Sequence, residues 1–249
     1  MQKMRPRILP LLAVLLVCIV NPDPSLSQAP KTQPLNSILG QRKPTDRNRE
    51  IYYKNKLEVS EETGWLPINI PFVFDCFLGD EYTMTPLKYT LVPNLVSLRW
   101  QMDDIGGRGI LRGNWEFMLT GDFTAIPRGP ETRYFAYDMG MRRNFIHRNW
   151  RFVPYFDGHL GMGNVDAKGP LGVPFAQGQD LTFTMMMGSG VRYNFNSRFA
   201  VSVGLNYMHI SNLYLSEPEV LNYGINVYGP MIGFYMRLGK PKGKSTQQR

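Results

Sequence analysis

Between residues 56 and 238, polar and apolar side chains change places at almost every step. In 179–195 one phase reads Leu181, Phe183, Met185, Met187, Ser189, Val191, Tyr193 and Phe195. The other reads Thr182, Thr184, Met186, Gly188, Gly190, Arg192 and Asn194. A period of two puts these sets on opposite faces of an extended strand, one apolar, the other small and polar. The same pattern sets Trp115, Phe117, Leu119 and Phe123 against Asn114, Glu116, Thr120 and Asp122. It also sets Phe135, Tyr137, Met139 and Met141 against Tyr134, Ala136, Asp138 and Gly140.

Eight such segments can be drawn: about 56–65, 89–104, 113–126, 132–145, 151–165, 179–195, 199–212 and 223–238. Each is longer than the roughly 5–6 residues of a soluble strand and matches the roughly 9–11 that a tilted membrane strand needs. The even count returns both chain ends to one side of a membrane. The expected fold class is therefore all-β, an eight-stranded antiparallel transmembrane β-barrel. A secreted β-sandwich or lipocalin-like barrel is the alternative, since it also alternates. Mean hydropathy is −0.26, low for a helical membrane protein, but barrel strands show lipid only every second residue.

The N-terminus reads as a secretory signal. Lys3, Arg5 and Arg7 precede an apolar run at 8–20, and small residues follow at Ser25, Ser27 and Ala29. That run is too short to span as a helix and reads as a signal peptide over 1–28. A polar leader at 29–55, the barrel at 56–238 and a basic polar tail at 239–249 complete the expected organisation. Removal of 1–28 takes away Lys3, Arg5, Arg7 and Asp23, so the net charge falls from +8 to +6, which suits an anionic membrane surface or anionic lipid headgroups. No zinc pattern or dense basic–aromatic cluster points to nucleic acid. Removal of 1–28 leaves Cys76 alone, so neither an internal disulfide nor a cysteine-based metal site is expected.

If the first strand runs outward, the short connections 105–112, 146–150 and 196–198 are periplasmic. The connections 66–88, 127–131, 166–178 and 213–222 then face outside. Loop 66–88 is rich in Phe72, Val73, Phe74 and Phe77, and is expected to rest on the membrane or cap the barrel. Trp65, Trp100, Trp115 and Trp150 fall toward strand ends, as an interfacial girdle would. Asp157 and His159 share an inward phase and belong to an interior polar network. His147 lies in a turn, and Met185, Met186 and Met187 alternate faces and cannot converge on a metal.

The segment 199–212 ends in Tyr207-Met208-His209-Ile210-Ser211-Asn212. His209 and Ser211 share a strand face, with Cα atoms roughly 6.5–7 Å apart. That face is the apolar one of Phe199, Val201, Val203 and Leu205, turned to lipid. Asn226 falls on the corresponding face of the next segment. Polar groups facing lipid are costly, so a His, a Ser and an Asn together on that wall point to a purpose. A His beside a Ser can take the hydroxyl proton and make it a nucleophile.

His209-Ile210-Ser211-Asn212, then Pro218, then Asn222-Tyr223-Gly224-Ile225-Asn226, resembles the lipid A 3-O-deacylase family, the PagL-type outer-membrane enzymes. The resemblance implies an eight-stranded barrel with its active site on the membrane-facing wall. It implies Ser211 as nucleophile, His209 as general base and Asn212 at the oxyanion, with no cofactor or metal. The best-known members orient the His with a Glu, and Asn226 stands at that position here. Glu217 and Glu219 in the adjacent loop are candidate acidic substitutes. The implied partners are lipid A or lipopolysaccharide and the membrane, with a second copy of the chain as a further candidate. The implied location is the outer membrane of a diderm bacterium. Two other readings stay open: a non-catalytic structural or lipid-binding barrel on the same scaffold, and a secreted soluble barrel that binds a lipid.

Overall fold

A computed structural model describes residues 46–73, 87–167, 177–213, 215 and 224–239. The expected signal peptide, most of the leader and all but the first residue of the tail lie outside the described residues, as do Cys76, Glu217 and Glu219.

The alternating segments form β1 (Leu57–Gly64), β2 (Ile68–Asn69), β3 (Thr90–Gln101), β4 (Gly113–Arg128), β5 (Arg133–Phe145), β6 (Phe152–Val165), β7 (Leu181–Asn194), β8 (Phe199–Ser211) and β9 (Ile225–Arg237). Each pairs antiparallel with its neighbour, and β9 pairs with β8 on one edge and with β1 and β2 on the other. The sheet closes on itself and leaves no free edge in the wall. The eight long strands correspond to the eight expected segments. The two-residue β2 is an addition. Past Gly64 the wall is carried on by Trp65 N–H to Pro230 O at 3.0 Å and by the pairing of Ile68 with Tyr228. Pro67 between them has no N–H to give to the ladder.

The outward face is apolar. Tyr137 is 87% exposed, and Val96, Leu119, Phe123, Met139, Met162, Val203, Ile232 and Phe234 are also exposed. This band, on strands of 12–16 residues in β3–β9, is the surface a transmembrane barrel presents to hydrocarbon. Trp100 and Trp150 stand exposed toward one end and Trp65 toward the other.

The lumen is filled, in two different ways. Toward the short turns it holds an ionic mesh. Arg99 donates to Ser60 Oγ and Glu116 Oε1, both at 2.6 Å, and to Glu62. Arg142 donates to Asp157 Oδ2 at 2.7 Å, to Tyr235 Oη at 2.8 Å and to Glu62 Oε1 at 3.0 Å. Its guanidinium also lies 3.9 Å from the Tyr155 ring centroid. Arg192 binds both oxygens of Glu58, at 2.6 and 2.9 Å. Asp157 thus belongs to the interior network, as its phase implied, and His159 is buried on the same side. Toward the long loops Leu66, Leu91, Tyr134, Val165, Met186, Met208, Ile210, Ile225 and Val227 pack as one apolar cluster, beside buried Asp122, Thr124, Thr182 and Thr184.

The last residues of the expected leader fold into the short-turn end of the barrel. Asp46 caps the turn at Arg47–Glu50 by accepting Asn48 N–H at 3.1 Å, and pairs with Arg112. Asn48 Nδ2 donates to His147 O at 2.6 Å and to Trp150 O at 3.0 Å. Tyr52 is buried with Ile105, Ile146 and Val153, and Lys56 Nζ meets Glu58 Oε1 at 2.8 Å. The polar composition of 29–55 hid Ile51 and Tyr52, whose apolar surface anchors this stretch. His147 is half-buried, its ring 5.0 Å from that of Trp150.

Candidate active site

The site is assembled where β8 ends and β9 begins, at the long-loop end of the wall. His209 pairs directly with Asn226 on β9 and with Met185 on β7, and Ser211 pairs with Phe183. Directly opposed residues of an antiparallel pair bring their side chains together, and the residue two positions along reaches diagonally. The contacts follow that rule. Asn226 Oδ1 lies 2.8 Å from His209 Nδ1 and accepts the Tyr207 hydroxyl at 2.6 Å.

These groups belong to the outward phase, yet they are recessed. Val203 and Ile232 on the same wall are 60% exposed, whereas Tyr207, Asn226 and Ser211 are 4%, 6% and 7%. The cover comes from the chain that follows β1. Asn69 clamps the far end of the loop by donating to Tyr89 O at 2.8 Å and accepting Tyr89 N–H at 2.7 Å. Ile70 N–H reaches Asn226 O at 3.3 Å, and Phe72 then lies over His209 with ring centroids 4.3 Å apart. Behind the site, Met208, Ile210, Ile225 and Val227 are fully buried on the lumen side. The polar groups are therefore held between an apolar backing and an apolar cover.

Ser211 Oγ accepts the N–H of Leu213 at 3.1 Å, a local serine turn made possible by Leu213 taking φ +55°. This uses a lone pair of the hydroxyl and leaves its O–H free to donate. Among the described contacts none joins His209 to Ser211. The two share the wall two residues apart, and rotation about their side-chain torsions is what would close the pair, as catalytic hydrogen bonds often tighten only around substrate. The Asn212 amide turns the other way, donating Nδ2–H to Gln177 O at 2.5 Å. It ties β8 to the loop before β7, so the side-chain amide is turned away from the Ser211 side. Glu217 and Glu219 are outside the described residues, and the group found against the imidazole is Asn226. Among the described residues no cluster of three His, Cys, Asp or Glu could hold a metal ion.

Gly224 explains part of the motif around Asn226. Its φ is +65°, and a Cβ there would stand 3.2 Å from His209 Cε1. A left-handed residue with a side chain costs about 1–2 kcal/mol, and here that side chain would also press on the imidazole. Gly224→Ala is expected to lower the unfolding free energy of the barrel by about that amount, seen as a lower denaturant midpoint, and to push the ring away from Asn226. An unchanged midpoint would show that the turn tolerates a side chain.

Three participants were not singled out from the sequence. Tyr207 sits in the same period-two phase as His209, two residues earlier, which was a usable signal. Phe72 reads only as part of an apolar loop, and its contact with His209, 137 residues further on, left no local trace. The Gln177 carbonyl is likewise visible only once the loops are placed.

Comparison with known proteins bears on the same stretch. Among solved structures, the outer membrane enzyme PagL is similar at 17% identity over 72% of this chain and 98% of that one, with a TM-score of 0.47. Neisserial surface protein A shows 10% identity over 73% and 95%, with a TM-score of 0.42. OprG from Pseudomonas aeruginosa shows 9% identity over 77% and 99%, with a TM-score of 0.38. No curated protein matches the chain. A family model described as lipid A 3-O-deacylase (PagL) matches residues 95–235, more than half of the 249 residues. That match runs from β3 into β9 and takes in His209, Ser211 and Asn226, and the chain belongs to the lipid A 3-O-deacylase family.

Proposed function

We propose that this chain is an outer-membrane esterase that removes an ester-linked acyl chain from lipid A, the 3-O-linked chain, using Ser211 and His209. The observation that carries the reading is the acceptance of the His209 ring by Asn226 Oδ1, on the lipid-facing wall and two residues from a serine. With Nδ1–H donated to Asn226, the lone pair of Nε2 is free to act as a base. Lipid A lies in the outer leaflet, the depth that the long-loop end of the wall occupies if the short turns are periplasmic.

The chemistry balances without a cofactor. Nε2 of His209 takes the Ser211 proton as Oγ bonds to the ester carbonyl carbon. Donors near residue 212, among them the Leu213 N–H that Ser211 Oγ gives up as it bonds to carbon, stabilise the tetrahedral oxyanion. Collapse breaks the carbon–oxygen bond to the sugar, whose oxygen takes the proton back from His209. Water then attacks the acyl-serine by the reverse route and releases the fatty acid. Asn226 orients the imidazole but cannot neutralise the imidazolium that forms, so the reaction is expected to be slower than with a carboxylate there.

The test is mass spectrometry of lipid A from diderm cells with and without the expressed protein. Loss of one acyl chain is expected. Lipid A of unchanged mass would favour a non-catalytic barrel on the family scaffold. Asn226→Glu is expected to keep or raise the rate, by roughly 10-fold or more if charge compensation limits it. A folded but inactive Asn226→Glu would sink the positional match with the family's acidic residue.

A further inference from the structure

An asparagine beside a catalytic imidazole poses a problem that a carboxylate does not. A carboxylate offers an acceptor whichever oxygen faces the ring. An amide offers an acceptor on one side and a donor on the other, and the two ends are nearly the same size. With Oδ1 toward the ring, His209 carries its proton on Nδ1 and presents a bare Nε2. With Nδ2 toward the ring, Nδ1 must be the bare nitrogen and the proton sits on Nε2, where it blocks proton transfer from Ser211. Something must decide which way the amide points.

We infer that Tyr207 decides it: its hydroxyl is a positioning donor that pins the Asn226 amide oxygen toward His209 and so fixes the base-competent tautomer. Tyr207 lies on β8 two residues before His209 on the same face, diagonal to Asn226 across the β8–β9 ladder. Its hydroxyl donates to the very oxygen that faces the imidazole, at 2.6 Å against 2.8 Å for the ring nitrogen. The two lone pairs of Oδ1 are thereby matched by two donors. Turning the amide over would break this 2.6 Å hydrogen bond and set Nδ2 against the hydroxyl, in a recess where Tyr207 is only 4% exposed. Losing a hydrogen bond in such a place costs more than losing one in water. Tyr207 and Asn226 together thus do the orienting half of what a single carboxylate does.

The inference rests on the proposed role of His209, but its test does not require turnover. The chain has three histidines, His147, His159 and His209, so 15N-histidine spectra of the full chain refolded in detergent micelles can resolve each ring. His209→Gln assigns the site. In the wild type the His209 proton is expected on Nδ1. In Tyr207→Phe it is expected to move in large part to Nε2. In Tyr207→Phe combined with Asn226→Glu it is expected back on Nδ1, because a carboxylate has no donor face. Turnover of lipid A in mixed micelles gives a second readout. Tyr207→Phe is expected to lower kcat roughly 10- to 100-fold with little change in KM, and to cost less than about 3-fold in the Asn226→Glu background. A tautomer unmoved by Tyr207→Phe would overturn the inference, and so would an equal loss of kcat in both backgrounds. If the tautomer moves as expected while wild-type protein leaves lipid A intact, the tyrosine lock stands and the esterase reading falls.

Discussion

Ser211→Ala is expected to leave lipid A fully acylated, with turnover reduced on the order of 10³-fold or more, since removing the nucleophile of a serine–histidine pair costs that much or more. The expectation is specific because the rest of the site should survive. The lost hydroxyl accepts one backbone N–H, from Leu213, and the Asn226 bonds to His209 and Tyr207 do not involve it. The variant should therefore fold, insert and show the same heat-dependent gel mobility as the wild type. The measurement is lipid A mass from matched cultures together with release of fatty acid from purified protein in mixed micelles. Retained deacylation by folded Ser211→Ala would exclude this serine as nucleophile and with it the proposed chemistry.

Glu62→Ala is expected to be the most damaging of these changes to stability, by about 3–5 kcal/mol. Glu62 accepts from Arg99, from Arg142 at 3.0 Å and from Tyr235 Oη at 2.6 Å. Across the mesh the cations Lys56, Arg99, Arg142 and Arg192 are balanced by Glu58, Glu62, Glu116 and Asp157, all buried. Removing one carboxylate leaves two guanidinium groups short of a partner where neither water nor salt can compensate. Denaturant unfolding in micelles should show a clear fall in midpoint. A midpoint within error of wild type would mean that the mesh fills space without holding the barrel together.

The strands were legible because their signal is purely local. Alternation fixes which residues share a face, and it located all eight long strands to within about three residues at either end. The errors fall where alternation fades. Residues 102–104 continued the pattern of β3, but Asp103 accepts Trp115 N–H at 2.6 Å and turns the chain. The outward phase of His209, Ser211 and Asn226 was readable for the same reason. What the period could not reveal was chemistry along one face. The inward row of β8 begins small and polar at Ser202, Gly204 and Asn206, whereas Met208 and Ile210 continue it into an apolar cluster. Tyr207 shares the face of Phe199, Val201, Val203 and Leu205, and its role stays hidden in the sequence because its hydroxyl finds its partner across the ladder. The resemblance put Asn212 at the oxyanion; its amide is taken by the Gln177 carbonyl, a residue 35 positions away whose approach depends on loop placement.

The polar groups of the site lie on the side of the cylinder beneath Phe72, while both halves of the bore are filled with side chains. On the proposed function, a molecule arriving there travels within a two-dimensional sheet. Occupancy would then be governed by how many such molecules share each patch of surface and how quickly they drift along it. Diluting the lipid with inert amphiphile should slow the protein even when the bulk amount of lipid is held constant.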